Sequence, residues 1–146
     1  MQTLKVRSWT AMAAILLMTA TAAWSAESSW LLLDSDPSSD FYYDKGSISR
    51  SPEGIINIWA RVSYTDDGRQ EVLDMLKNEA YRTLAYSLYN YEINCDTGQS
   101  RLNQVIHYDA KGGKIAEYTL AGKTLWEPIP VASRLDQVVD QECPEK

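Results

Sequence analysis

The chain has 146 residues, of which 20 are acidic and 14 basic, and its formal net charge is −6 at pH 7. A chain of this length predicts a single domain, and its acidic balance argues against nucleic acid or an anionic lipid surface as a partner. The aromatic residues, nine Tyr and five Trp against one Phe, are typical of a protein built largely from β-strands.

The N-terminal segment has the layout of a secretory signal peptide. Lys5 and Arg7 precede an uncharged, mostly apolar run that ends in small residues. The most apolar part of this run, residues 11–23, is shorter than the roughly 20 residues that a membrane-spanning helix needs. An uncleaved membrane anchor is the alternative interpretation, and the shortness of the apolar run favours the signal peptide.

We expect signal cleavage after Ser25 or Ala26, which removes residues 1–26 and leaves a single domain of residues 27–146 without a membrane span. This mature domain keeps 12 basic and 20 acidic residues, so its net charge is −8. No cysteine lies near the cleavage position, which argues against a lipid anchor there. The predicted location is therefore periplasmic or secreted.

After the signal peptide, strands and turns are predicted in alternation. The apolar run WLLLD at 30–34 is the first strand, SDPSSD has the composition of a turn, and the aromatic-rich segment FYYDKGSIS at 41–49 breaks at Gly46. The turn SPEG leads into IINIWARVSY at 55–64, where apolar and polar residues alternate as they do in a half-buried strand. Within that strand, Trp59 lies on the otherwise polar face.

The middle of the chain predicts a short helix and then three strands. TDDGR is interpreted as a turn, and helical spacing of apolar residues predicts a helix near 70–80. Alternation then predicts a long strand from about 83 to 95. Two further strands, at 101–108 and 114–121, flank the glycine-rich turn DAKGG.

The C-terminal segment RLDQVVDQEC has the pattern of an amphipathic helix. Leu135, Val138 and Val139 are spaced i, i+3 and i+4, which places them on one side of a helix. Ser133 is a suitable N-cap. Because a helix of about ten residues is only marginally stable alone in water, we expect it to pack against the sheet.

The mature chain has two cysteines, and export predicts that they form a disulfide. Alternation places Cys95 beside Tyr89 and Tyr91 on one face of its strand, whereas Cys143 ends the C-terminal helix. A redox site would usually need a C-x-x-C pair and a zinc site about four ligands, so both alternatives fit less well. The predicted fold is α+β: an antiparallel sheet of about five to six strands, a short internal helix, and a C-terminal helix disulfide-linked to one face of the sheet.

No catalytic, cofactor or metal site is predicted. His107 is the only histidine; it lies on the same strand face as Val105 and opposite Leu102, and no nucleophile motif supplies it with a partner. The acidic stretch DSDPSSDFYYD has Ser39 and Lys45 where an EF-hand loop needs glycine and glutamate. A hydrolase that uses His107 is an alternative, but the sequence favours a protein that is not an enzyme.

Aromatic residues supply the candidate binding residues. Most Tyr and Trp side chains are expected to fill the core, but Phe41, Tyr42 and Tyr43 stand beside a polar loop and Trp59 lies on a polar strand face. Exposed aromatic side chains of this kind often anchor protein–protein contacts. We therefore predict that these four residues are exposed and contact a protein partner.

Several segments resemble the surface-adhesin protein E family: YYDKGSISR, GIINIWARVSY, AYRTLAYSLYNYEINC, IHYDAKGGKI and LWEPIPVAS followed by QEC. The resemblance implies an antiparallel sheet of about six strands, with a C-terminal helix disulfide-bonded to its concave face through Cys95 and Cys143. The family is named for an adhesin that binds host matrix proteins such as vitronectin and laminin and can dimerise. The resemblance therefore implies a host protein partner and a capacity to form a homodimer.

The combined prediction is an exported, non-enzymatic module that binds a protein and is similar to an adhesin. The alternative is a periplasmic factor that binds a small molecule such as haem in the groove between the C-terminal helix and the sheet. In that alternative, Tyr89 and Tyr91 line the groove. Only the two cysteines are carried over from the family to positions of this sequence.

Overall fold

The computed structural model describes residues 29–144, and the predicted signal peptide, residues 1–26, lies outside this range. The strands are β1 Trp30–Ser35, β2 Ser39–Asp44, β3 Ser49–Arg50, β4 Ile55–Tyr64, β5 Leu84–Asn94, β6 Gln99–Asp109, β7 Lys114–Thr119 and β8 Glu127–Pro128, and the α-helices are α1 Asp66–Leu76 and α2 Arg134–Glu142. All strands belong to one antiparallel sheet with the order β1-β2-β4-β5-β6-β7, in which β3 also pairs with β4 and β8 with β6. This arrangement confirms the predicted α+β fold.

The main core lies between the sheet and α2. In the pairing of β4 with β5, Ile58 is opposite Tyr91 and Ile56 opposite Ile93, so alternation places these apolar side chains on one face. Helix α2 packs on this side, which we call the α2 face, and the opposite side is the outer face. The buried core cluster consists of Phe41, Tyr43, Ile56, Ile58, Ala60, Ile93, Cys95 and Val138.

Helix α2 forms as its sequence predicts. The Ser133 hydroxyl caps the helix by accepting a hydrogen bond from the Asp136 backbone N–H at 3.1 Å. Val138 is fully buried. Cys143 follows the helix and is bonded to Cys95, with 5.5 Å between the Cα atoms. The predicted disulfide is confirmed. Its two cysteines are 48 residues apart in sequence, and closing a loop of this length stabilises the folded state by about 4 kcal/mol in the chain-entropy estimate.

A buried carboxylate strengthens the contact between the end of α2 and the sheet. Glu142 accepts a hydrogen bond from the Tyr43 hydroxyl at 2.7 Å and from an Arg50 guanidinium nitrogen at 2.8 Å. Burial, followed by the bond to Glu142, raises the pKa of Tyr43 to about 12. The Tyr43 phenol therefore stays protonated at neutral pH and keeps donating to Glu142.

The start of α1 differs from its prediction. The helix begins at Asp66, where a turn is predicted, because Thr65 acts as its N-cap and accepts a hydrogen bond from the Gly68 N–H at 3.2 Å. Gly68 packs so tightly on the Ser38 carbonyl oxygen that an added Cβ would lie 2.0 Å from that oxygen. Residues 79–83, which follow α1, form a 3-10 helix. The predicted helix near 70–80 is present, but it begins and ends earlier than its apolar spacing indicates.

A β-bulge in β6 changes which side chains share a face. Tyr89 pairs with Val105, but Tyr91 pairs with Leu102, so Asn103 is an extra residue between the two pairs. Leu102 therefore lies on the α2 face together with Val105. The prediction that Leu102 is on the opposite face is wrong, because simple alternation cannot anticipate a bulge.

Candidate functional site

A groove runs along the α2 face where α2 leaves the sheet uncovered. It consists of two adjoining cavities of about 500 and 380 Å³, and both are lined by Tyr91, Pro130 and Leu135. The first cavity is also lined by Ser100, Arg101, Leu102, Thr124, Leu125, Glu127 and Pro128, and the second by Phe41, Val62, Tyr89, Ser133 and Arg134. Each cavity falls in the size range of ligand-binding clefts. Because the two cavities share three lining residues, together they offer a continuous space that is larger than either cavity alone.

The groove exists because α2 is short and the loop before it follows the edge of β6 instead of covering the face of the sheet. Helix α2 has nine residues, too few to cover β5 and β6 as well as the first strands. The preceding loop is fixed to the edge of β6, since Thr124 donates to the Leu102 carbonyl at 2.7 Å and the Ile129 N–H donates to the Gly98 carbonyl at 2.9 Å. The loop thereby forms the second wall of the groove.

The floor of the groove is aromatic and uncharged. The rings of Tyr89 and Tyr91 are stacked with 6.1 Å between their centroids, and the hydroxyls of Tyr89 and Tyr64 are 3.1 Å apart. Burial raises the pKa of Tyr89 well above its ordinary value and raises the pKa of Tyr91 to about 12. Both phenols are therefore neutral at physiological pH and offer hydroxyl groups along an apolar floor.

The two arginines at the groove are already neutralised by carboxylates. Arg101 pairs with Glu92. Arg134 contacts Asp34 at 2.8 Å and Asp36 at 2.7 Å. The walls therefore present no free guanidinium, and an occupant is held mainly by apolar contact and by hydrogen bonds.

Two large apolar side chains stand exposed beside the groove. Leu125, a lining residue, has 81% of its surface exposed, and Val131, in the loop that forms the wall, has 90% exposed. Single exposed apolar residues are ordinary. A pair of them at the mouth of an apolar groove is the arrangement expected where a partner covers the surface.

A model of the family "surface-adhesin protein E" matches residues 30–144 of the chain. The chain belongs to the surface-adhesin protein E family. A search of curated proteins found no match to the sequence. The matched range contains the whole sheet, both helices and the disulfide, so in this member of the surface-adhesin protein E family the groove is part of the family domain. Family and disulfide together indicate an exported protein.

The four predicted binding residues lie on opposite faces of the sheet: two are buried on the α2 face and two are half-buried on the outer face. Phe41 and Tyr43 are 4% and 1% exposed and belong to the core, so the expectation that they are exposed is wrong. Alternation along β2 turns both of them to the α2 face, and only Phe41 reaches the groove lining. Tyr42 and Trp59 are half-buried on the outer face. Binding by these residues stays a prediction.

Sequence reasoning missed a partner of His107. Ser87 lies opposite His107 in the β5–β6 register, and its hydroxyl is 2.6 Å from His107 Nδ1. The rings of Tyr81 and Tyr118 meet the imidazole edge-on, at 5.1 and 6.0 Å between centroids. Burial lowers the pKa of His107. Ser87 has no exposed surface, so its hydroxyl is closed to solvent in this structure.

Residues 29–144 contain neither a cluster of potential metal ligands nor a helix that could span a membrane. Within 29–144, no three His, Cys, Asp or Glu side chains converge as metal ligands would. No helix in this range combines the length and the apolar character needed to cross a bilayer.

Tyr89 and Tyr91 line the groove as expected, whereas His107 is not among the lining residues.

Proposed function

We propose that this protein is an exported, adhesin-like module without enzymatic activity that binds a segment of another protein in the groove. The family match over residues 30–144 carries this proposal. The groove supplies the place, because its joined cavities, neutral tyrosine floor and exposed apolar rim suit an extended polypeptide. The partner of highest interest is a host matrix protein, since an adhesin attaches a cell to such a surface.

The partners available to the protein depend on whether it is exposed at the cell surface or held in the periplasm. Protease shaving of intact source cells distinguishes these two locations. The mature chain is detected with an antibody, and a periplasmic protein serves as the control. Loss of the chain while the control survives is expected for a surface protein. Protection of the chain until the outer membrane is opened would place it in the periplasm and exclude a host matrix protein as its natural partner.

Binding to a matrix protein is tested with the mature chain, residues 27–146, flowed over immobilised vitronectin and laminin. We expect Leu125→Asp and Val131→Asp to weaken binding about tenfold or more, because each places a charge on the apolar rim. Met75→Asp is the matched control, since Met75 is 78% exposed on α1 and is not a groove residue. An equal loss in the control variant, or no binding by the wild-type chain, would contradict this form of the proposal.

A photocrosslinking experiment in the native compartment tests protein binding without assuming a partner. Benzoylphenylalanine is placed at position 125 in one strain and at position 75 in another. A discrete protein adduct formed from position 125 and absent from position 75 is expected if the groove binds protein. Equal adducts from both positions, or none from position 125, would count against the groove.

A further inference from the structure

The outer face carries an arginine surrounded by tyrosines. Tyr42 and Leu88 are the cross-strand neighbours of Arg61 on β2 and β5. The guanidinium carbon lies 4.5 Å from the centre of the Tyr86 ring and 5.9 Å from the centre of the Tyr42 ring. Tyr86 is itself stacked on Tyr108 at 5.0 Å. The side chains of Arg61, Tyr42, Tyr86 and Tyr108 are called the Arg61 cluster below.

Arg61 differs from every other arginine between residues 29 and 144. The other five all form ion pairs with carboxylates: Arg50, Arg69, Arg82, Arg101 and Arg134. Arg61 has no ion pair, and its Nε is buried without a hydrogen-bond partner. A buried polar atom without a partner is uncommon in a native fold and calls for a physical reason.

Two other arginines show how this fold uses a guanidinium placed over an aromatic ring. Arg101 lies 4.7 Å from the centre of the Trp126 ring and pairs with Glu92. Arg134 lies 5.6 Å from the centre of the Phe41 ring and pairs with Asp34. In both cases the guanidinium lies over an aromatic ring and also donates to a carboxylate. At Arg61 the rings are present and the carboxylate is missing.

We propose that the Arg61 cluster binds an acidic side chain of a partner protein. Arg61 Nε is buried without a partner, and no carboxylate pairs with its guanidinium in the part of the chain that the structure describes, so the terminal nitrogens are the atoms that would donate to an incoming carboxylate. The tyrosine rings limit the movement of the guanidinium and supply apolar contact around the bond. This surface is on the opposite side of the sheet from the groove, so the proposal does not depend on occupancy of the groove.

The charge around the cluster favours a single carboxylate over a polyanion. Asp40 lies two residues from Tyr42 on the same face of β2, and Glu117 is the neighbour of Ile106 on β7. With a net negative chain and one unpaired guanidinium, a sulfated glycan or nucleic acid meets repulsion along its length. One Asp or Glu side chain can contact the guanidinium of Arg61 without bringing further negative charges close to Asp40 and Glu117.

The proposal is tested by nuclear magnetic resonance on the nitrogen-15-labelled mature chain, using the Nε–Hε signals of the arginines. The probe is N-acetyl-glutamate N-methylamide, and the neutral control is N-acetyl-glutamine N-methylamide. We expect the glutamate probe to shift the Arg61 signal saturably, whereas Arg101, whose carboxylate is already present, shifts several-fold less. An Arg61 shift no larger than that of Arg101, or the same shift with the glutamine probe, would overturn the proposal.

Peptide display provides a second measurement in which the acidic residue is not chosen in advance. The wild-type chain is expected to select peptides with an acidic residue at one fixed position, and Arg61→Gln is expected to weaken their binding at least tenfold. Arg82→Gln, at an arginine that pairs with Glu79 and lies outside both the groove and the Arg61 cluster, is the matched variant and is expected to change binding less than twofold. Peptides without a fixed acidic residue, no selected peptides, or equal binding to the Arg61→Gln chain would each overturn the proposal.

Two controls separate binding at the Arg61 cluster from binding in the groove and from self-association. In the Leu125→Asp chain the Arg61 signal is still expected to respond, so a failed groove and a failed Arg61 cluster are distinguishable. Sedimentation of wild-type and Arg61→Gln chains tests self-association. If Arg61 is needed for a dimer, the carboxylate comes from a second copy and the assignment to a different partner protein is wrong.

Discussion

The two ends of the α2 face are closed by different chemistry. At one end, α2 covers the sheet through Val138, the Cys95–Cys143 bond and the Glu142 carboxylate. At the other end, the 3-10 helix of residues 79–83 covers it through Tyr81, which is 3% exposed. Its hydroxyl is 2.9 Å from that of Tyr118. The first end is held by a covalent bond together with apolar packing and the Glu142 carboxylate, whereas the second end has no covalent bond and is held by aromatic packing and a hydrogen bond between hydroxyls.

This difference shows how a small exported sheet stabilises two short helical segments. Neither the nine residues of α2 nor the five residues of the 3-10 helix are long enough to be stable alone. Each one depends on what it contacts on the sheet. The α2 end should therefore respond to reduction, and the Tyr81 end, which contains His107, should respond to pH.

The largest expected effect is the loss of the disulfide at the α2 end. The double variant Cys95→Ser/Cys143→Ser is expected to lower the free energy of unfolding by about 4 kcal/mol, because the unfolded chain is no longer constrained. Urea unfolding with and without reductant measures it. Reductant should destabilise the wild-type chain by a similar amount and leave the double variant unchanged. A wild-type chain that is insensitive to complete reduction would contradict the role of the disulfide.

The corresponding change at the other end is Tyr81→Ala. Removing this buried ring is expected to cost about 3 kcal/mol, near the lower end for large aromatic residues in cores. Tyr81→Phe is the matched control and should cost under about 1 kcal/mol, since Tyr118 is 48% exposed and its hydroxyl can turn to water. If the two variants are equally destabilised in urea, the hydroxyl pair and not the ring closes this end.

A smaller effect is expected from Glu142→Gln at the α2 end. The substitution removes the negative charge of the carboxylate to which Tyr43 and Arg50 donate hydrogen bonds, and it keeps the size of the side chain. Because the Glu142 side chain is only 7% exposed but Arg50 is 48% exposed, solvent screening limits the expected loss to about 1 kcal/mol. The control is Glu79→Gln, whose exposed pair with Arg82 should contribute under about 0.5 kcal/mol. Equal losses for the two variants would mean that burial of the Glu142 network does not matter.

The smallest expected effect is the pH response at the Tyr81 end. Burial lowers the pKa of His107 in the folded state. As the pH falls below about 6.5, the pKa of histidine in the unfolded chain, the unfolded chain therefore binds more protons than the folded chain. The stabilisation is therefore present above pH 6.5 and is lost as the pH falls through the folded pKa, with a slope of at most about 1.4 kcal/mol per pH unit.

Urea midpoints between pH 5.5 and 7.5 measure this response. The His107→Gln chain should show a flatter profile than the wild-type chain over that range. The Cys95→Ser/Cys143→Ser chain should keep the wild-type slope, because its change is at the other end of the sheet. A wild-type midpoint that rises on acidification would contradict the assigned sign.

Several features of the structure could not be predicted from sequence patterns, and each has a physical cause. The segment TDDGR has the composition of a turn but begins α1, because Thr65 caps the helix by accepting a hydrogen bond from the Gly68 N–H. The burial of Phe41 and Tyr43 depends on the position of β2 between β1 and β4 in the sheet order. A polar neighbouring loop is therefore a poor guide to exposure.

The sequence by itself determined the faces of β4 and β5, the amphipathic character and cap of α2, and the pairing of Cys95 with Cys143. These features follow from alternation, helical periodicity and the redox chemistry of export, which act over a few residues or on the only available pair. The tertiary structure alone decided the bulge that moves Leu102, the contact of Ser87 with His107, and the unpaired guanidinium of Arg61. Strand register and the packing of distant segments set those contacts, and no local pattern encodes which strand lies beside which.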